Sequence, residues 1–234
     1  MALIFSPISE DVLEGPFQPA PRSVFMMVQL GAGKSQVEAE MDATVAEVLR
    51  RKSFDVVYAT SIPGNKDYLD KIIQLICGCG FGVAIFSEFT PARTMGNIFF
   101  EVALCNLFGK TVLLIKSEDA AVPSDLVRSE WVGYRDGDQR RLSADVRKAV
   151  DRVVAMGDYY RKLGDLALVA EEGDIELAFE RYKQAMLITG ELSVKSRIDT
   201  LLKKLKSESP SAAVLQASRK RLRKGIEEFS QLLP

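Results

Sequence analysis

Between Arg93 and Lys110 the chain carries a single charged residue, Glu101, in a stretch that is otherwise apolar, small or amidic. A carboxylate in such surroundings is costly to bury unless a partner or a ligand compensates it, and burial without compensation raises its pKa. Asn97 precedes it by four residues and so shares its helical face, one turn nearer the preceding strand. Together they offer a carboxylate and an amide to one crevice. Two readings stand here: Glu101 serves a ligand, or it forms a structural ion pair with Arg93 or a neighbouring lysine.

The second candidate is "VQLGAGKS", residues 28–35, placed where a phosphate-binding loop would lie. A P-loop needs G-x-x-x-x-G-K-[ST]; with Gly33, Lys34 and Ser35 closing the motif, the opening glycine is replaced by Val28. The dinucleotide fingerprint G-x-G-x-x-G fails as well, because Gln36 stands where the third glycine belongs. A looser phosphate contact remains open, through the backbone N–H groups of Gly31 and Gly33 and the charge of Lys34. Cys77 and Cys79 in "CGCG" have a one-residue gap unlike that of zinc ligands, so no metal site is expected and small buried residues are the better account. The sequence has no histidine, which excludes Ser-His-Asp and Cys-His nucleophiles, histidine bases and histidine-containing metal sites.

The elements that must position these residues are legible as periodicity. "VFMMVQ", "FDVVYAT", "FGVAIF" and "TVLLIK" are short runs rich in Val, Ile and Phe, as strands buried on both faces should be. Val37, Met41, Val45, Val48 and Leu49 recur at helical spacing, as do Leu69, Ile72, Ile73 and Ile76, and "NIFFEVALCNLFG" ends at Gly109 as a C-cap. Alternating strands and helices predict an α/β fold with a parallel, flavodoxin-like sheet, whose ligands bind outside the carboxyl ends of the strands. The loops after Gln29, Thr60, Phe86 and Lys116 are therefore the place to look.

From about Leu142 the pattern becomes helical, predicting a small all-helical bundle over residues 141–234 after an extended leader, 1–22, and the α/β domain, 23–140. Ala178, Tyr182 and Ala185 have the spacing of the second helix of a tetratricopeptide repeat, but no second copy follows, so a helical hairpin is expected. Lys203, Lys204, Lys206, Arg219, Lys220, Arg221, Arg223 and Lys224 stand against Glu208 alone, and read as a solvated helix face more than a nucleic-acid surface. At 234 residues, 47% hydrophobic and with a net charge of -1, the chain can build two cores and has no global bias toward nucleic acid. No membrane span is long enough, no secretory signal opens the chain, and three cysteines suit a reducing compartment, so a cytoplasmic location is expected.

Residues 81–116 also carry a resemblance. Asn97, Ile98, Phe99, Phe100 and Glu101, then Gly109, Lys110 and the strand from Thr111 to Ile115, resemble the superfamily that joins TIR domains with nucleoside 2-deoxyribosyltransferase-like proteins. "VPSDLVRSEWVGY", residues 122–134, is similar to the Pro-x-Asp-Leu stretch and closing strand of its predicted nucleotide-binding, TIR-like members. The resemblance covers roughly residues 23–135; Ala103 replaces a glycine common in those relatives, and Ser87 ends the preceding strand as in TIR domains. It implies a TIR-like fold, Glu101 as the catalytic glutamate, and cleavage of an N-glycosidic bond in NAD or a related nucleotide or nucleoside. Asn97 and Ser87 would orient the ribose or its phosphates, with Gln29, Gly31 and Gly33 lining the crevice. Such chemistry fits a chain without histidine, because a carboxylate can stabilise or capture an oxocarbenium-like centre and nicotinamide leaves as a neutral base. NAD then enters as substrate, no cofactor is expected, and a homo-oligomer acting in bacterial defence or signalling is implied. The alternative is a sensor that binds a nucleotide without turnover, with a helical tail for assembly.

Overall fold

The computed structural model describes residues 4–5, 12–13, 18–31, 33–61, 68–121, 131–169, 174–207 and 213–233. The Pro-x-Asp-Leu stretch, Glu208 and most of the leader fall outside them. Within the leader, β1 (Ile4–Phe5) and β2 (Val12–Leu13) pair as an antiparallel ladder. By contact density the chain divides into Ser23–Val153, and Val154–Pro234 together with Met1–Arg22.

The first of these units is built on a five-stranded sheet. β3 (Ser23–Met27), β4 (Asp55–Tyr58), β5 (Phe81–Phe86), β6 (Val112–Ser117) and β7 (Trp131–Tyr134) are all parallel, in the order β4-β3-β5-β6-β7. This is the flavodoxin-like order, and the α/β expectation holds. β3 and β5 are central and buried at every residue, which is why their sequences are continuous apolar runs and not alternations.

Helices cover both faces. Phe25, Met27, Ala84, Phe86 and Leu114 point to one, where α2 (Tyr68–Gly78) supplies Ile72, Leu75 and Ile76 and α3 (Ala92–Leu107) supplies Ile98, Val102 and Cys105. Strand residues between them turn to the opposite face. There α1 (Gln36–Arg51) lies against β4 and β5, burying Met41, Val45, Val48 and Leu49. α3 ends as expected at Gly109, whose φ of 65° lets its N–H reach Asn106 O (3.0 Å) while Lys110 N reaches Cys105 O (2.8 Å), the paired bonds of a Schellman cap. Without that left-handed residue the chain could not turn directly into β6.

α4 (Gln139–Val169) is a single 31-residue helix, and the division between units falls inside it, at Val153, and not near residue 140. Its first half buries Leu142, Val146 and Val150 and receives the Lys52 ammonium on Asp151, so it belongs with the sheet. In the helical unit, its second half is joined by α5 (Ile175–Thr189), α6 (Leu192–Ser207) and α7 (Ala213–Leu232). Ala178, Tyr182 and Ala185 are buried. The Tyr182 ring lies over Gly164, where a Cβ would come within 2.5 Å of it, and its hydroxyl donates to Asp165 (2.7 Å), which also accepts from Arg197 (2.8 Å). Of the basic residues, Lys206 pairs with Glu227 (2.8 Å) and Lys224 approaches Glu228 (3.9 Å), so part of that face is already neutralised.

Candidate functional site

The crossover from β3 leaves by α1 on one face of the sheet and the crossover from β5 leaves by α3 on the other. Their divergence opens the crevice where doubly wound sheets bind ligands. Gln29, Gly31 and Gly33 lie in the loop that follows β3, and Ser87 immediately follows β5, so four of the six expected site residues gather at adjacent strand ends.

The residue that bridges this crevice is one the sequence reading did not single out. Glu38, only 2% exposed, stands in the first turn of α1 and completes a capping box with Ser35. Its Oε2 accepts from Ser35 N and Ser35 Oγ (both 2.9 Å), and its own N–H donates to Ser35 Oγ (3.2 Å). Its Oε1 accepts from the Thr90 hydroxyl across the crevice, in the loop that follows β5. The S-x-x-E signature at residues 35–38 could have found the cap; no local pattern announces Thr90 as its partner.

This arrangement weakens the phosphate reading of the glycine loop. The start of α1 already holds a carboxylate where a bound anion would sit, and a second negative charge there would be repelled. Lys34, expected to add positive charge, is ion-paired with Asp42, which also accepts from Tyr58 Oη (2.9 Å). Gly31 retains a φ of 88°, a left-handed turn that favours glycine. Gly33 leaves room for Gln29, whose Nε2 lies 2.8 Å from where a Cβ would be.

Ser87 is fully buried and shapes its own loop: Ser87 Oγ accepts from Phe89 N (3.1 Å), Ser87 O from Thr90 N (3.1 Å), and Ser87 N donates to Thr90 Oγ1 (2.8 Å). Beyond it, the Ser117 hydroxyl donates to Glu88, and Tyr134 Oη donates to Glu40 (2.8 Å). The C-terminal edge of the sheet is thus laced by hydroxyl-to-carboxylate bonds.

Asn97 and Glu101 are placed differently. α3 runs away from the crevice, and Glu101 lies nine residues beyond Ala92, about 13 Å along the axis. Asn97 is exposed and Glu101 partly buried, roughly 60° from the buried row of Ile98, Val102 and Cys105 and on the flank opposite Phe99. Among the described residues no ion pair or hydrogen bond satisfies the Glu101 carboxylate, so the structural pairing with Arg93 or a lysine is not made there. Burial alone lifts its pKa to about 7. One turn on, the buried Cys105 thiol is pushed up to about 12, chiefly by desolvation and further by Glu101, against the pull of Lys110.

Among the described residues no cluster of acidic and cysteine side chains could hold a metal ion, and the three cysteines are buried thiols. No described helix is long and apolar enough to cross a membrane. No protein-family model matches this chain, and no curated protein matches it in sequence.

Proposed function

We propose that the α/β unit binds a nucleotide and cleaves its N-glycosidic bond, with NAD the expected substrate and Glu101 the reacting carboxylate. The observation that carries this reading is a half-buried carboxyl, uncompensated among the described residues and with its pKa near neutrality, on the helix that bears the TIR-like Asn97-to-Glu101 motif. A structural carboxylate so placed would be paired; an unpaired one is available to a cation. NAD supplies one, because its nicotinamide nitrogen is positively charged and the positive charge passes to C1′ as the C–N bond breaks. The bond's electron pair leaves with neutral nicotinamide, Glu101 stabilises or captures C1′, and water then adds there with loss of a proton. Asn97, one turn nearer the strand edge, would orient the ribose. Homo-oligomerisation through the helical unit, where Leu166, Val169 and Leu192 are exposed, belongs to the same proposal.

The binding-only alternative is favoured by one observation: the hydrogen-bonded Glu38–Thr90 bridge, and not Glu101, spans the crevice between the strand ends. The experiment that decides is the time course of free nicotinamide and ADP-ribose from NAD, with concentrated wild-type protein and with Glu101→Gln. Products from wild type alone establish the glycosidase reading. Nucleotide binding without product at any concentration establishes the sensor.

A further inference from the structure

Two acceptors beside the carboxyl ends of β3 and β5, on Glu38 and Gln29, are not fully used by the fold. A carboxylate offers about four lone-pair sites; at Glu38, Thr90 Oγ1, Ser35 N and Ser35 Oγ take three, leaving one on Oε1. Gln29 follows β3, is 8% exposed, and its Oε1 is buried with no hydrogen-bond partner among the described residues. A buried carbonyl in that condition is desolvated without compensation until something donates to it. The one lysine of the loop is committed to Asp42, so the crevice has little to offer a phosphate. In the loops that follow β3 and β5, Leu30 and Phe89 are 41% and 58% exposed, apolar surfaces on which a planar ring can lie.

We infer that this crevice recognises a ribonucleoside through the vicinal diol of its ribose, which donates to Glu38 and to Gln29 Oε1 while the base rests against Phe89. The Thr90 hydroxyl occupies the diol's place in the free protein and is displaced on binding. This rests on the reading that the α/β unit binds a nucleotide, and deepens it: in NAD the diol held here is that of the adenosine ribose, apart from the ribose that reacts at Glu101, and the sugar hydroxyls select the ligand, not the phosphates.

The test is calorimetric titration of the full chain with adenosine and with 2′,3′-dideoxyadenosine, alongside NAD. Wild type should bind adenosine at least about tenfold more tightly than the dideoxy analogue, the value of one or two hydrogen bonds to a charged group. Thr90→Val removes the competing hydroxyl and should tighten adenosine without changing the analogue; Thr90→Ser should match wild type; Glu38→Gln should erode the discrimination. The wild-type comparison requires no variant to fold. Equal affinities for the two nucleosides, or NAD binding without adenosine binding, overturn the diol inference, and nicotinamide release in that case leaves the glycosidase proposal standing. Absence of binding by adenosine and NAD alike overturns both.

Discussion

Glu38 and Glu101 are two glutamates on helices of one sheet, and their surroundings are opposite. Glu38 is almost wholly buried yet receives three hydrogen bonds, from a serine amide, a serine hydroxyl and a threonine hydroxyl. Glu101 is less buried and, among the described residues, receives none, so its carboxyl titrates near pH 7. Burial depth is therefore a poor guide to which carboxylate is available for chemistry. Compensation is the better one, because the charge of a hydrogen-bonded carboxylate is already balanced by the fold, leaving it an acceptor site for a hydroxyl at most, whereas an uncompensated one keeps its charge for a cation.

The comparison breaks most sharply at turnover. Glu101→Gln should lower the rate of nicotinamide release by about a thousandfold or more while nucleotide binding persists, the signature of a group that acts on the developing charge. In wild type, kcat/KM should rise with pH through about 7 as the carboxyl ionises, a profile that pH-rate measurements read directly.

Stability should separate the two glutamates next. Glu38→Ala removes the capping box and leaves the Thr90 hydroxyl and the Ser35 amide without their acceptor, a loss of about 3 kcal/mol by urea unfolding. Glu101→Gln should act in the other direction, and only at high pH. In the unfolded chain Glu101 ionises near the ordinary value of about 4.3, and in the folded protein near 7. Between these the folded state holds a proton the unfolded state has released, so wild type loses stability as pH rises through this window. The glutamine variant is spared, and should be the more stable of the two at pH 8 by about 2 kcal/mol, with no difference below pH 4. A variant no more stable at pH 8 would mean that Glu101 is compensated after all.

The smallest effect expected is that of Ser35→Ala. It removes the cap hydroxyl but leaves Glu38 bonded to the Ser35 backbone N–H and to Thr90, so the cost should stay near 1 kcal/mol. A much larger loss would show that the bridge to Thr90 depends on the cap.

The sequence by itself determined the architecture. Strands buried on both faces must be runs such as "FGVAIF", helices on a sheet must repeat at 3.6 residues, and a helix that turns straight into a strand calls for a residue such as Gly109. It also isolated Glu101, since a single charge in an apolar helix is visible in one dimension. Only the tertiary structure decided what compensates each charge. Lys34 directly follows Gly33 and reads as a phosphate ligand until α1 forms and brings Asp42 to it. Glu38 carries no more than the local S-x-x-E signature of a cap, and only the pairing of β5 beside β3 brings Thr90 across to it, 52 residues along the chain. Burial and periodicity are properties of neighbours in sequence; charge compensation belongs to neighbours in space, which the strand order creates.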